Sequence, residues 1–206
     1  MKALGLLQIS VAFGTTIAII PPKFQTRAPS VVLGHRKVAE AQAIKYMQDE
    51  VVTWQSGFGG GEQLGPGVYL TQGFDEWKGG VSSETDWYCV ISVDQTKLDR
   101  LPKIWIPEEN EDCVGLWYAK DALRKYLRSR KKANPKRTIL LSVIQGQTPK
   151  AYQILVPPDL VDSLKMEPNC FKPEDKGQVP QQAADIFNWK NVRDEEYKNE
   201  DPNRFQ

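Results

Sequence analysis

Runs of apolar residues along the chain predict six β-strands and two helices. The strand runs lie at residues 31–36, 68–71, 87–93, 103–107, 138–144 and 152–156. Residues 39–50 and 121–132 instead have apolar positions at helical spacing. The 14 prolines and 15 glycines supply many turns between these elements. This pattern favours a strand-rich fold over a helical bundle.

The two ends of the chain differ from its middle. Residues 1–20 are predicted to be a secretory signal peptide, because Lys2 precedes an apolar stretch with no further charge until Lys23. A buried first strand and a single membrane anchor are the alternatives for this stretch. A connector at 21–30, a single domain at 31–190 and a polar, disordered tail at 191–206 follow. Within this domain, residues 183–189 are expected to dock as a short helix.

Composition narrows the possible partners. The formal net charge of +1 gives no overall attraction to nucleic acid or to acidic membranes, and one histidine argues against a zinc site. The basic cluster at 124–137 is interpreted as a solvated helix end, with a phosphate or nucleic-acid patch as the alternative. We expect a monomer without specific nucleic-acid binding and, once processed, without a stable membrane anchor.

Three cysteines are too few for a disulfide scaffold, but a secreted chain could form one bridge. Cys89 lies within an apolar run and is expected to be a core residue. Cys113 and Cys170 lie in polar sequence, so we predict that these two are paired.

Three strand segments carry the candidate chemistry. The first contains Gly34-His35-Arg36, and His35 is the single histidine of the chain. The second follows a Gly-Pro-Gly turn and reads Val68-Tyr69-Leu70-Thr71, and the third contains Gln153 before Pro157-Pro158. A turn with little side chain, next to an aromatic ring and a hydroxyl, suits a flat polar ligand lying against backbone amides. An ordinary sheet aromatic and hairpin turn are the structural alternative.

In their order, these segments resemble the ADP-ribosyltransferase superfamily of toxins and polymerases. Members have Arg or His on a first strand, an aromatic or Ser-Thr-Ser element on a second, and a catalytic Glu on a later strand that continues into Pro-Pro. The resemblance spans about residues 31–160. It implies an α+β fold of two packed, mainly antiparallel sheets with flanking helices, one after the first strand and one after the fourth.

The resemblance also implies NAD as the substrate. Cleavage of the nicotinamide–ribose bond builds positive charge on the ribose, which a carboxylate stabilises. His35 or Arg36 would hold a ribose or phosphate, and Tyr69 would stack on nicotinamide. Gly67 and Thr71 complete the expected NAD-binding set. Gln153, with Tyr69, would occupy the catalytic position.

Gln153 departs from the family pattern, because a neutral amide cannot counter the developing charge. A carboxylate from elsewhere, such as Glu62, Glu167 or Glu174, would have to replace it. Two functions therefore stay open. One is a secreted, toxin- or effector-like protein that binds NAD and cleaves it or transfers ADP-ribose to a host or target protein. The other is a catalytically inactive secreted interaction protein on the same scaffold.

Overall fold

Eight strands form one mostly antiparallel sheet, in the order β7-β3-β1-β2-β6-β5-β4-β8, in the computed structural model of the chain. The structure describes residues 29–56, 62–78, 84–129 and 133–196. The strands are β1 (Ser30–Val38), β2 (Val68–Thr71), β3 (Trp87–Asp94), β4 (Lys103–Trp105), β5 (Ile139–Val143), β6 (Tyr152–Val156), β7 (Glu167–Phe171) and β8 (Val192–Arg193). The helices are α1 (Glu40–Asp49), α2 (Gln95–Arg100), α3 (Lys120–Ser129) and α4 (Pro158–Leu164), and a 3₁₀ helix spans Pro173–Gln178.

The predicted α+β class with mainly antiparallel strands is confirmed. Only the β4 pairs with β5 and β8 are parallel among the described strands. The two packed sheets are corrected to one continuous sheet, which nevertheless has a weak seam. Strands β1 and β2 share a single register pair, His35 with Thr71, so a three-stranded and a five-stranded block meet at that point.

Each face of the sheet carries its own hydrophobic core, because strand side chains alternate between the faces. On one face, here called the α1 face, Ala43 and Tyr46 of α1 pack with residues such as Leu70 and Ile154. On the other, the α3 face, Leu123 and Leu127 of α3 pack with Leu140, Leu155 and their neighbours. Consecutive residues of a strand, such as Ile154 and Leu155, therefore belong to different cores.

The bridge between Cys113 and Cys170 was wrongly predicted. Cys170 is bonded to Cys89, and Cys113 is free and exposed. The reason is register, since Cys89 of β3 lies directly opposite Cys170 of β7. The polar sequence around Cys170 resembles a loop, yet it forms an edge strand beside the apolar strand that carries Cys89.

Lys103 holds the last part of the folded chain in place. Its side chain is fully buried, and Nζ donates to the carbonyl oxygens of Leu98, Leu101 and Lys190 at 2.6, 3.0 and 2.9 Å. Burial lowers the pKa of Lys103 to about 8, although nearby Asp99 raises it. The lysine thus ties α2 and the start of β4 to the segment that leads into β8.

The C-terminal region differs from its prediction. Residues 192–193 join the sheet as β8, so the folded domain extends past residue 190, where the sequence placed the start of a disordered tail. Residues 183–189 form turns and irregular backbone rather than a short helix. The predicted signal peptide lies outside the described residues. Within the described ranges, no helix is long and apolar enough to cross a membrane.

Candidate functional site

A row of polar side chains crosses the middle of the sheet where the two blocks meet. His35 lies opposite Thr71, Thr71 opposite Gln153, and Gln153 opposite Ser142. Register partners project to the same side of a sheet, and Gln153 alternates with Ile154 of the α1 face. The row therefore lies on the α3 face. All four residues are buried, with relative exposures of 3%, 7%, 0% and 1%.

His35 is held from one side only. Its Nε2 lies 2.9 Å from the carbonyl oxygen of Gln182 in the C-terminal segment, and its ring meets Phe74 edge-on at 6.2 Å between centroids. Its Nδ1 is buried and has no hydrogen-bond partner among the described residues. Because a buried polar atom normally has a partner, this nitrogen is suited to a polar group that enters the site.

Thr71 closes the seam and starts the next turn. Its Oγ1 donates to the carbonyl oxygens of His35 and Gly73 at 3.3 and 2.8 Å. Gly73 in turn donates its backbone N–H to the carboxylate of Glu76 at 2.9 Å. A carboxylate that the sequence did not single out thus lies near this end of the row. It lies in the loop just after β2, where no strand or helix pattern marks it.

Gln153 belongs to a buried amide and hydroxyl network. Its Nε2 donates to Ser142 Oγ at 2.9 Å, and Ser142 Oγ donates to the carbonyl oxygen of Val143, also at 2.9 Å. Gln63 approaches the same groups, its Nε2 lying 2.9 Å from the Val143 oxygen and 3.3 Å from Ser142 Oγ. Gln153 Oε1 is left buried without a described partner. It is a free acceptor, as His35 Nδ1 is a free ring nitrogen.

Tyr69 lies two residues before Thr71 on β2, and its side chain therefore projects to the same face of the sheet. Its hydroxyl accepts from the backbone N–H of Leu64 and donates to the carbonyl oxygen of Gly65, both at 2.8 Å. Burial raises the pKa of Tyr69 well above its ordinary value. The hydroxyl therefore fixes the Gly-Pro-Gly turn, and the ring packs on the apolar cluster of the α3 face.

The remaining predicted residues lie apart from the row. Arg36 follows His35 on β1 and so projects to the α1 face, where it interacts with Tyr46 and burial lowers its pKa. Gly67 lies where β2 begins, and a Cβ there would meet the carbonyl oxygen of Val156. The structure thus brings His35, Thr71 and Gln153 together, with Tyr69 beside them, and places Arg36 on the far side of the sheet.

Three further residues of this site were not found from the sequence. Gln63 and Phe74 lie in loops, and no local pattern marks a loop residue as facing a strand row. Ser142 did carry a signal, since it is the one polar residue within the apolar run of β5. A lone hydroxyl in a fully buried strand must find a partner, and here that partner is Gln153.

Comparison with known proteins gives one match. Residues 62–196 match the model of a "Family of unknown function (DUF5910)". The match covers Tyr69, Thr71 and Gln153 and begins after His35. No curated protein and no solved structure matches the chain.

Proposed function

The chain belongs to this family of unknown function (DUF5910), and from the geometry of its site we propose that it binds NAD on an ADP-ribosyltransferase-like scaffold without efficiently cleaving it. The observation that carries the proposal is the row itself. Three segments ordered as in that superfamily occupy neighbouring strands, and their candidate residues His35, Thr71 and Gln153 fall in register. His35 and Gln153 are 118 positions apart in the chain, so the juxtaposition is a property of the fold.

The unpaired atoms of the row determine which hydrogen-bonding groups a ligand would need. His35 Nδ1 and Gln153 Oε1 are buried without partners. Adjacent strands are about 4.8 Å apart, which places the backbones of β1 and β6 roughly 10 Å from one another across β2. The ribose hydroxyls and the carboxamide of a nicotinamide riboside supply hydrogen-bond donors and acceptors of the kind that these two atoms lack. Tyr69, on the same face, supplies the aromatic surface.

Weak cleavage follows from charge. Hydrolysis breaks the bond between the nicotinamide nitrogen and ribose C1′, the bond electrons leave with neutral nicotinamide, and water adds to C1′ and releases a proton. The four side chains of the row include no carboxylate. Absence of a preorganised group of this kind costs roughly 100-fold or more in rate. Glu76, which reaches the row only through Gly73, is the described carboxylate that favours residual cleavage.

Binding is measured first, by calorimetric titration of the purified chain with NAD. Gln153→Leu is expected to weaken NAD binding at least roughly tenfold, because it removes the free acceptor. Leucine is close to glutamine in volume, so the packing around position 153 is largely kept. Gln42→Leu on α1 is the matched control and is expected to bind like the parent. No heat from NAD at millimolar concentration, or equal loss in both variants, would reject the site.

Cleavage is measured by nicotinamide release. The parent is expected to release it slowly, and Gln153→Glu faster, because the new carboxylate meets the ribose cation away from water. Glu76→Gln is expected to abolish the residual release of the parent. A Gln153→Glu protein that folds and binds NAD yet releases nicotinamide at the parent rate contradicts the assignment of position 153. Fast release by the parent favours the toxin-like enzyme instead.

A further inference from the structure

A cavity of about 230 Å³ lies between α3 and the sheet, beside the Gly65-Pro66 turn. It is on the α3 face but at the other end of β2 and β6 from Thr71 and Gln153, since Gly65 precedes β2 and lining residue Pro157 follows β6. Its apolar wall includes four prolines and five buried leucines: Leu64, Leu123, Leu127, Leu140 and Leu155. None of these residues belongs to the polar row.

The rim of this leucine cavity is cationic. Lys120, Arg124 and Lys136 line it, against a single lining carboxylate, Asp159. Lys136 Nζ lies 3.2 Å from Asp159 Oδ2, and Arg124 Nη1 lies 3.5 Å from Asp121 Oδ1. The side chain of Asp121 is 96% exposed. Lys120 has no acidic partner among the described residues. Even with Asp121 counted, the groups at the mouth carry a net positive charge.

We propose that the leucine cavity binds a small amphiphilic anion, with an apolar chain or ring inside and a carboxylate or phosphate at the rim. The leucine and proline side chains that form most of its lining carry no hydrogen-bonding group, so a polar body would be desolvated against them without compensation. A cavity of about 150 Å³ accommodates benzene, so this one accommodates roughly nine carbon atoms. The basic cluster at 124–137, which we interpreted from the sequence as a solvated helix end, would thus have a specific role at two of its positions, Arg124 and Lys136.

Charge and shape together separate this ligand from other occupants. A neutral apolar molecule would gain the same burial but nothing from Lys120 and Arg124. A cation would meet repulsion at the rim, and a large polyanion could not enter an apolar space of this size. The inference does not depend on NAD binding, because the two sites share no residue.

The test uses three eight-carbon probes that differ only in their heads: octanoate, octanol and octylammonium. Binding to the full chain is followed by two-dimensional NMR, which locates the site through the amides of Leu127 and Leu155. Octanoate is expected to bind with a Kd of about 1 mM or tighter, and octanol at least roughly fivefold more weakly. Octylammonium is expected to cause no shifts at these amides.

Charge variants test the rim directly. Lys120→Glu combined with Arg124→Glu is expected to weaken octanoate binding at least roughly tenfold. Lys125→Glu is the control for a charge reversal elsewhere on the helix, because it reverses one charge at an exposed position of α3 outside the cavity lining. All variants change exposed side chains, and circular dichroism checks that they fold. Equal weakening by Lys125→Glu, or equal binding of the three probes, would overturn the proposal.

Two further probes identify the source of the anion. Octyl phosphate is expected to bind within roughly threefold of octanoate if the rim recognises negative charge alone. Vesicles of phosphatidylcholine with and without phosphatidylglycerol test for a membrane surface. Binding of octanoate without binding of anionic vesicles supports a free small ligand. Binding of anionic vesicles without shifts from octanoate rejects the cavity as the site.

Discussion

Removal of the Cys89–Cys170 bridge is expected to destabilise the protein by about 2–4 kcal/mol. The bridge joins β3 to β7 across 81 residues of sequence. In the chain-entropy model, closing a loop of that length lowers the entropy of the unfolded chain and so raises its free energy by about 4.5 kcal/mol. Measured effects are usually smaller, because the unfolded chain retains structure of its own. The expected range therefore lies below this upper value.

The perturbation is the double variant Cys89→Ala, Cys170→Ala, unfolded in urea and followed by tryptophan fluorescence. Cys113→Ser is the control, since Cys113 is exposed and should change stability by no more than about 0.5 kcal/mol. Reduction of the parent with a phosphine should reproduce the double variant. Thiol titration of the denatured, unreduced parent should find one free thiol.

Two results would refute the reasoning. Three free thiols in protein purified from an oxidising compartment would mean that the bridge does not form. A loss of stability below about 1 kcal/mol in the double variant would mean that β7 is held by packing alone. In that case the edge strand owes its place to contacts such as that between the Cys170 N–H and Met47 Sδ at 3.4 Å.

Three further changes test the scaffold. Gly34→Ala should destabilise the fold and separate the two blocks of the sheet, because the alanine Cβ would lie 2.7 Å from the Thr71 carbonyl oxygen. Loss of a cooperative urea unfolding transition in this variant checks the prediction. Tyr69→Phe should cost about 1–3 kcal/mol in urea unfolding, since Leu64 N–H and Gly65 C=O lose their partner, and an unchanged midpoint contradicts that role. Between pH 8 and 9.5 the free energy of unfolding should rise with pH. Burial lowers the pKa of Lys103 to about 8, so in this range the folded chain has released a proton that the unfolded chain still binds. A free energy of unfolding that falls over this range argues against the prediction.

Strand positions followed from the sequence because each run carries its own signal. The six predicted runs all contain strands, and both predicted helices lie where the periodicity placed them. The helix predicted after the first strand is α1, and that after the fourth is α3. By contrast, β7 contains Pro168 and reads as polar loop. It is a strand because β3 supplies a partner edge, and no local pattern encodes that.

Register was the decisive information that the sequence lacked. It corrected the disulfide, since opposition of Cys89 and Cys170 depends on how β3 and β7 align. It also separated Arg36 from His35, because neighbours on a strand face opposite sides. Residues of the row were foreseen only as members of three segments. Their common face, and the participation of Ser142, depend on strand pairing at long range.

The amide at position 153 is built into the network around it, which bears on whether this position can hold a carboxylate instead. Gln153 Nε2 donates to Ser142 Oγ, whose own proton is directed to the Val143 oxygen. A glutamate at 153 would set two acceptors against each other unless the Ser142 hydroxyl turned toward it. That turn leaves no orphan, because Gln63 Nε2 already donates to the same Val143 oxygen at 2.9 Å. A single hydroxyl rotation thus separates an amide site from a carboxylate site. The cationic nicotinamide ring of NAD, which we propose binds here, would favour the ionised form of such a glutamate.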